Sequence, residues 1–407
     1  MGGARAVAAL PRLCYNPPMD DAADKANRAA EAHARASTPY DRAVTGFRDY
    51  WYPALGEREV GRHPKRMILL GEPLAFVRRG SKVYAVQDEC PHRGARMSLG
   101  KDEFPGTDTL ACRFHGWTFD LRNGACVAAL TDGPDSPVVG KVRLRTFPTE
   151  QRKGIVWVWM GRGAPVPLEE DVPKLLLRED TLVKHRRRVV YGNWRYHAES
   201  GDGGHFQMLH RDSFVQLTNR FFAHLKDYAP VLTDEEGDDG PPYLVERTGG
   251  LARQAVYPGL GEWPPKRPWR FASQPYGRSV HGVNTIAAVR LPGLLRINHF
   301  PVVGALYYEW YVPIRDDAYV YFQASCHWPR NPLSRLITHL KWHAYWGPMK
   351  MGRFNDQDKA MVRDSTDRAK RSGHHSPTPL YRPDRYPLDW IAYANERARG
   401  AAPREGQ

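Results

Sequence analysis

The sequence predicts an α+β protein, in which a small all-β domain precedes a larger domain of helices flanking an antiparallel sheet. Three observations lead there. Short β-prone runs separated by turn residues recur between positions 45 and 165. Residues 307–314 and 319–325 flank a turn at Arg315-Asp316-Asp317, a hairpin pattern. Residues 193–210, 332–367 and 388–397 read as helices.

Taken in order, residues 1–19 read as a disordered tail, with Met19 an alternative start. Residues 20–35 are Ala-rich with mixed charges and predict an exposed helix. Thr38-Pro39 ends it, because the residue before proline is driven to extended geometry. This segment, 1–44, is expected to pack on the larger domain. Runs at 67–70, 74–77 and 83–86 follow, parted by Gly71-Glu72-Pro73 and Arg79-Gly80-Ser81-Lys82. Residues 119–124 give a further hairpin signal, and 155–160 close the series before a Gly/Pro linker at 161–167. The all-β domain is therefore drawn at 45–165 and the second domain at 166–399, with 400–407 a disordered tail. The Gly/Pro-rich stretch 237–278 reads as long loops around a site.

Apolar residues make up 42% and charged residues 26%, as in an ordinary globular protein. Lys plus Arg is 59 against 45 Asp plus Glu, a net charge of +14. The basic residues are scattered, which argues against nucleic acid and for either a solvated surface or a docking field for an acidic protein. The one basic run, 184–188, lies between Val183 and Val189 as though on a strand. Five cysteines, with no disulfide pattern, suit a reducing compartment, and a cytoplasmic location is expected. No apolar run approaches a membrane span, and Ala6 to Leu10 is too short for a signal-peptide core.

Two stretches carry chemistry. Cys90-Pro91-His92-Arg93-Gly94 and Cys112-Arg113-Phe114-His115-Gly116-Trp117 supply two thiolates and two imidazoles. That set suits a tetrahedral zinc or a Rieske [2Fe–2S] cluster, which takes two Cys on one iron and two His on the other. Cys-x-His is too close for the usual zinc-finger spacing, and each loop offers one ligand to each iron. A second constellation is Asp202-Gly203-Gly204-His205-Phe206-Gln207-Met208-Leu209-His210. Two His and a carboxylate form the facial triad of non-haem iron oxygenases. On a regular helix His205 and His210 lie about 140° apart, so sharing a metal needs a widened or loosened helix, and alone the pair reads more readily as surface or core residues than as ligands.

The Cys/His motifs resemble the Rieske motif, and Asn193-Trp194 followed by Glu199, Asp202, His205 and His210 is similar to the catalytic motif of Rieske non-haem iron ring-hydroxylating oxygenases. The likeness runs from Phe47 to the Asp358 region. It looks nearest to the α3 group that includes the oxygenase of carbazole 1,9a-dioxygenase, through Leu291-Pro292-Gly293 to Phe300, Glu309 to Ile314, and Phe354-Asn355.

The resemblance implies an all-β Rieske domain and a helix-grip catalytic domain. It implies Cys90, His92, Cys112 and His115 on the cluster, and His205, His210 and Asp358 on one mononuclear Fe(II), with Asp356 the alternative third ligand. Asp202 is expected to bridge His205 to His115 of a neighbouring subunit in a homotrimer. Gly201, Phe206, Leu295, Ile297, Phe300, Tyr307, Phe354 and Asn355 are the expected substrate-pocket positions, though most would equally serve as core. The chain departs from the family at Ser200, where Asn is common, and at His197, where a small apolar residue is usual; His197 is expected to be a satisfied helix residue. In the motif, the Glu199-to-Asp202 gap is one residue shorter than in the carbazole enzyme and the His205-to-His210 gap one longer.

The activity implied is hydroxylation or cis-dihydroxylation of an apolar aromatic or heteroaromatic substrate by O2. Electrons would come from a ferredoxin, a reductase or both, and ultimately from NAD(P)H. Two other readings stay open. One is a tailoring Rieske oxygenase performing monooxygenation, demethylation or oxidative cyclisation. The other is a Rieske electron carrier whose second domain has lost its iron.

Overall fold

The computed structural model describes residues 38–200, 209–210, 232–237, 239–246, 255–263, 287–298, 300–302, 304–373 and 384–400. The expected helix at 20–35, the tail at 1–19, most of the 400–407 tail, and Gly201, Asp202, His205 and Phe206 lie outside those residues.

Ten strands build the first unit: β1 (Trp51–Gly56), β2 (Lys65–Leu69), β3 (Glu72–Arg79), β4 (Lys82–Gln87), β5 (Thr109–Ala111), β6 (Trp117–Asp120), β7 (Cys126–Ala129), β8 (Thr146–Phe147), β9 (Thr149–Arg152) and β10 (Ile155–Trp159). They form three antiparallel sheets, ordered β1-β10-β9, β2-β3-β4-β8 and β5-β6-β7. The small β5-β6-β7 sheet carries one Cys/His loop between β5 and β6. The other loop follows β4. Ala75, Val77, Leu110 and Phe119 pack beneath both.

The second unit is centred on a seven-stranded antiparallel sheet. Its strands are β11 (Leu182–Tyr191), β12 (Leu232–Gly237), β13 (Gly240–Glu246), β16 (Ala287–Arg290), β17 (Leu294–Asn298), β18 (Leu306–Arg315) and β19 (Ala318–His327); a separate hairpin pairs β14 (Ala255–Tyr257) with β15 (Gly261–Trp263). The order β11-β19-β18-β17-β16-β13-β12 makes β17 the middle strand and places β18 and β19 between it and the β11 edge. The basic run 184–188 lies on β11, as expected. The 237–278 stretch is not loop throughout. Its described part holds β13, which pairs with β16, and the β14–β15 hairpin, turned at Gly259 with φ of +76°.

Every residue of β19, and all but the end of β18, is buried. The two faces differ, because side chains alternate along a strand. Trp310 meets Trp157 of the first unit edge-on at 5.4 Å, whereas Tyr307, Glu309 and Tyr311 face the helices. One continuous core thus joins the units, from Trp51, Trp157 and Trp159 to Leu294, Trp310 and Phe322. The Leu70 amide donates to the Pro313 carbonyl at 2.7 Å, and the Trp51 amide to the Asp171 carboxylate at 2.8 Å. Each large apolar side chain so buried contributes about 1.5–3 kcal/mol. A boundary of this kind mounts the first unit rigidly.

Helices α1 (Pro39–Arg42), α2 (Leu168–Asp171), α3 (Lys174–Leu177), α4 (Trp194–Glu199), α5 (Pro332–Lys341), α6 (Asp356–Ser372) and α7 (Arg385–Arg397) flank the sheet. Within the helix expected over 193–210, α4 is capped by Asn193, whose side chain accepts from the Arg195 amide, and runs to Glu199; Leu209 is again helical, and residues 201–208 lie outside the described residues. The region 332–367 is helical but not uniform. A π-helical segment, Trp342–Phe354, separates α5 from α6 and contains Gly347, Pro348 and Gly352. Proline removes a backbone donor and crowds the preceding turn, which is compatible with a widened helix.

Candidate metal centres

The two Cys/His loops share one backbone design. The Gly94 amide donates to the Cys90 carbonyl and the Gly116 amide to the Cys112 carbonyl, both at 2.9 Å. Cys90 N donates to Ala95 O and Cys112 N to Trp117 O, both at 2.8 Å. Both glycines have φ of +69°, the left-handed region open to glycine at least cost. At Gly116 a Cβ would also strike Leu130 at 2.7 Å. The loops thereby bring their donors together. Cys90 and Cys112 are buried, and the His92 and His115 rings lie 4.6 Å apart. His92 stacks on Trp117 at 4.6 Å with planes 9° apart.

These residues fit a two-iron cluster. Burial pushes the Cys90 thiol up to about 11, with Cys112 beside it pushing the same way, so two thiolates here need a cation to hold them. His92 Nδ1 is buried without a protein partner, a position a metal bond satisfies. The histidines are half-buried rather than fully exposed; Arg113 and Phe114 project beyond them, Phe114 with 59% exposure.

The second centre forms where α4 packs against α6. Gly192 makes the close approach possible, since a Cβ there would meet Val362 of α6 at 2.7 Å. The Asn193 amide donates to Thr366 Oγ1 at 2.7 Å, locking the start of α4 to α6. Beside this contact His210 Nε2 and Asp358 Oδ1 lie 3.1 Å apart. Two donors bonded at about 2.1 Å and at right angles to one ion would sit about 3 Å apart. His210 Nδ1 lies 2.8 Å from Gln357 Oε1. Donation from Nδ1–H to that carbonyl leaves the Nε2 lone pair free for a metal. Asp358 is buried, whereas Asp356 is exposed and paired with Arg188 and Lys359.

Apolar walls adjoin these donors. Phe354 stacks on His210 at 3.9 Å, and Phe300 lies 5.1 Å from Tyr307 and 5.9 Å from Phe354. Ile297 joins the same cluster; Leu295, which pairs with Glu309, belongs to the main core. Asn355 points elsewhere, into a polar cage. Its Nδ2 contacts Tyr307 OH at 3.1 Å, Tyr321 OH at 2.7 Å and Glu309 Oε1 at 3.1 Å. Tyr311 OH donates to Glu309 Oε2 at 2.6 Å, and Tyr321 OH to its other oxygen. Complete burial raises the Glu309 carboxyl above the ordinary range, against the pull of these donors. His197 is a core helix residue, bonded to Tyr319 OH and stacked on Tyr311 at 4.4 Å.

Sequence reasoning missed Gln357, the Glu309 cage, and the aromatic floor of Trp342 and Trp346. The cage had a readable signal: Tyr307, Glu309, Tyr311 and Tyr319, Tyr321, Gln323 repeat at period two on a paired hairpin. Gln357 had none beyond lying between two aspartates.

Known proteins resemble this chain in sequence and fold. The Rieske [2Fe–2S] domain family matches residues 50–148, and the homotrimeric ring hydroxylase family matches residues 159–402. The chain is 33% identical over 386 residues to the terminal oxygenase component of carbazole 1,9a-dioxygenase from a Sphingomonas species, covering 91% of this chain and 97% of that one. The solved terminal oxygenase of carbazole 1,9a-dioxygenase from Novosphingobium sp. KA1 is similar with a TM-score of 0.79 at 28% identity, over 93% of this chain and 100% of that one. A reduced complex between oxygenase and ferredoxin in carbazole 1,9a-dioxygenase matches with a TM-score of 0.78 at 27% identity, over 92% and 95% of the two chains. With a Rieske domain and a ring-hydroxylase domain in one chain, this protein belongs to the homotrimeric ring hydroxylases, oxygenases that combine a Rieske [2Fe–2S] cluster with a mononuclear iron.

Proposed function

We propose that this chain is the terminal oxygenase of a multicomponent system that takes electrons from a ferredoxin and hydroxylates or cis-dihydroxylates a flat apolar ring of the carbazole class. The observation that carries the reading is the His210–Asp358 donor pair, 3.1 Å apart, set against the Phe354, Phe300 and Tyr307 wall. Cys90, His92, Cys112 and His115 hold the cluster; His205, His210 and Asp358 hold the iron. With both groups bound, the reaction gains a donor of single electrons and an iron that activates dioxygen. The chain supplies the rest. Gln357 sets the His210 tautomer. Ile297, Phe300, Tyr307 and Phe354, with Leu295, Gly201 and Phe206, shape an apolar, water-excluding pocket. Asn355 ties the start of α6, and so Asp358, to the Glu309 cage. Asp202 joins His205 to the cluster histidine, His115, of a neighbouring subunit.

The domains are read as 45–165 and 166–399, with 1–44 packing on the second and 400–407 a tail. Tyr40 supports this packing, since its hydroxyl donates to Glu199 and its ring lies 6.2 Å from Trp194. A cytoplasmic location is supported by the unpaired thiols of Cys126 and Cys326.

The test is turnover of carbazole by the purified trimer with ferredoxin, reductase and NADH under 18O2, beside iron analysis. About three irons per chain and a product carrying two labelled oxygens are expected. Two irons and no product would leave only an electron carrier; a single labelled oxygen would mean hydroxylation in place of cis-dihydroxylation, and loss of two hydrogens with no labelled oxygen would favour the tailoring reading.

A further inference from the structure

A second concavity of about 910 Å³ lies between the two domains, far larger than a solvent gap and within the range of small-molecule sites. One wall is the β1–β2 connection and the β9–β10 turn; the other is β11 with α5 and the start of the π-helical segment. Its floor is apolar, with Val60, Leu182, Val183 and Trp342.

The lining is unusually cationic. Arg58, Arg78, Lys153, Lys184 and Arg335 face Glu57, Glu59 and Glu179, with His185, His339 and His343 besides. The carboxylates do not balance them. Glu59 is paired with Lys65 and Arg187, neither of which lines the cleft, and Glu57 accepts from Gln151. Arg78 and Lys153 donate to backbone carbonyls, of Val60, Ser81 and Glu57 and of Glu179 and Thr181; neither forms an ion pair among the described residues, although Asp180 and Glu179 act on the Lys153 charge from nearby. Lys184, Arg58 and Arg335 form no ion pair among the described residues. Burial first, then the like charges of Arg58 and Arg335, hold the Lys184 ammonium below its ordinary range. Burial first, then Lys184, Arg335 and His343, likewise hold His339 below its ordinary range. Like charges gathered from three segments repel one another in the empty fold, and a multivalent anion relieves that repulsion.

We propose that this interdomain cleft binds a small organic anion with more than one carboxylate or phosphate group, its charges on Lys184, Arg335 and Arg58 and its body against Trp342 and Val183. A small molecule suits the volume of about 910 Å³, with Lys184 half-buried in the cleft and Arg58 and Arg335 exposed on either side of it. The ligand would touch both domains at once, through Arg58 on one side and Lys184 and Arg335 on the other. Among the described residues, the cleft lining includes none of Cys90, His92, Cys112, His115, His210 and Asp358.

The test is calorimetric titration of the holo trimer with inorganic phosphate and, separately, tricarballylate, with chloride adjusted to hold ionic strength constant. Saturable binding of at least one anion is expected, with about one site per chain, and the preferred anion tells phosphate from carboxylate chemistry. Lys184→Gln/Arg335→Gln should weaken it at least tenfold, and Lys184→Arg should restore most of it. Arg315→Gln, which removes an exposed cation paired with Asp317, should leave it unchanged. The visible Rieske spectrum reports folding. If the Lys184 double variant does not fold, Arg58→Gln/Arg335→Gln, at two exposed positions, takes its place. No saturable binding of either anion, or equal binding by the folded double variant, overturns the proposal.

Discussion

Replacing Gln357 with Leu tests how the iron site is held without touching an iron ligand. Gln357 Oε1 lies 2.8 Å from His210 Nδ1, while the opposite nitrogen, Nε2, lies 3.1 Å from Asp358 Oδ1. Leucine keeps the volume and removes the acceptor. The imidazole then loses its preference for the tautomer with a free Nε2 lone pair. It also loses one of the contacts that aim the ring, though stacking on Phe354 at 3.9 Å remains. Loss of such a supporting hydrogen bond typically costs about 10–100-fold in metal affinity, or about 1.4–2.8 kcal/mol. We expect iron to leave Gln357→Leu at chelator concentrations about tenfold or more below those needed for the parent protein. The Rieske absorption should be unchanged. Gln357→Glu, which supplies a stronger acceptor, should retain iron at least as well as the parent. Equal iron retention by Gln357→Leu and the parent would refute the role assigned to this contact.

Other outcomes follow from the same geometry. Asp358→Ala should keep the Rieske spectrum and lose mononuclear iron and turnover, whereas Asp356→Ala, at an exposed carboxylate paired with Arg188, should retain both; metal analysis of the two separates the assignments. Asp202→Asn should keep both metals yet slow delivery of electrons to the iron, read by single-turnover reoxidation of the reduced cluster; a parental rate would count against the inter-subunit bridge. Trp194→Ala should cost about 3–5 kcal/mol, measured by chemical denaturation. Trp194 is fully buried, donates to the Val44 carbonyl at 3.1 Å and packs on Phe47 and Tyr40.

Local chemistry was legible wherever the chain itself supplies the pattern. The Cys-x-His and Cys-x2-His loops, the β18–β19 hairpin about Asp316-Asp317, and the strand under the basic run could be read because turn residues and period-two alternation act over a few positions. The widened turn at 342–354 was not legible, because it depends on what the neighbouring sheet and helices require rather than on propensity.

What the sequence determined by itself was the donor inventory and the order of the two domains, because ligand identity and spacing are covalent facts. Only the tertiary structure decided which donors meet. Asp358 rather than Asp356 faces His210, because on α6 residues two apart point in different directions and only the side carrying Asp358 is turned toward His210. The same assembly gathers five Lys and Arg side chains from separate segments into one cleft, a juxtaposition that no local pattern carries.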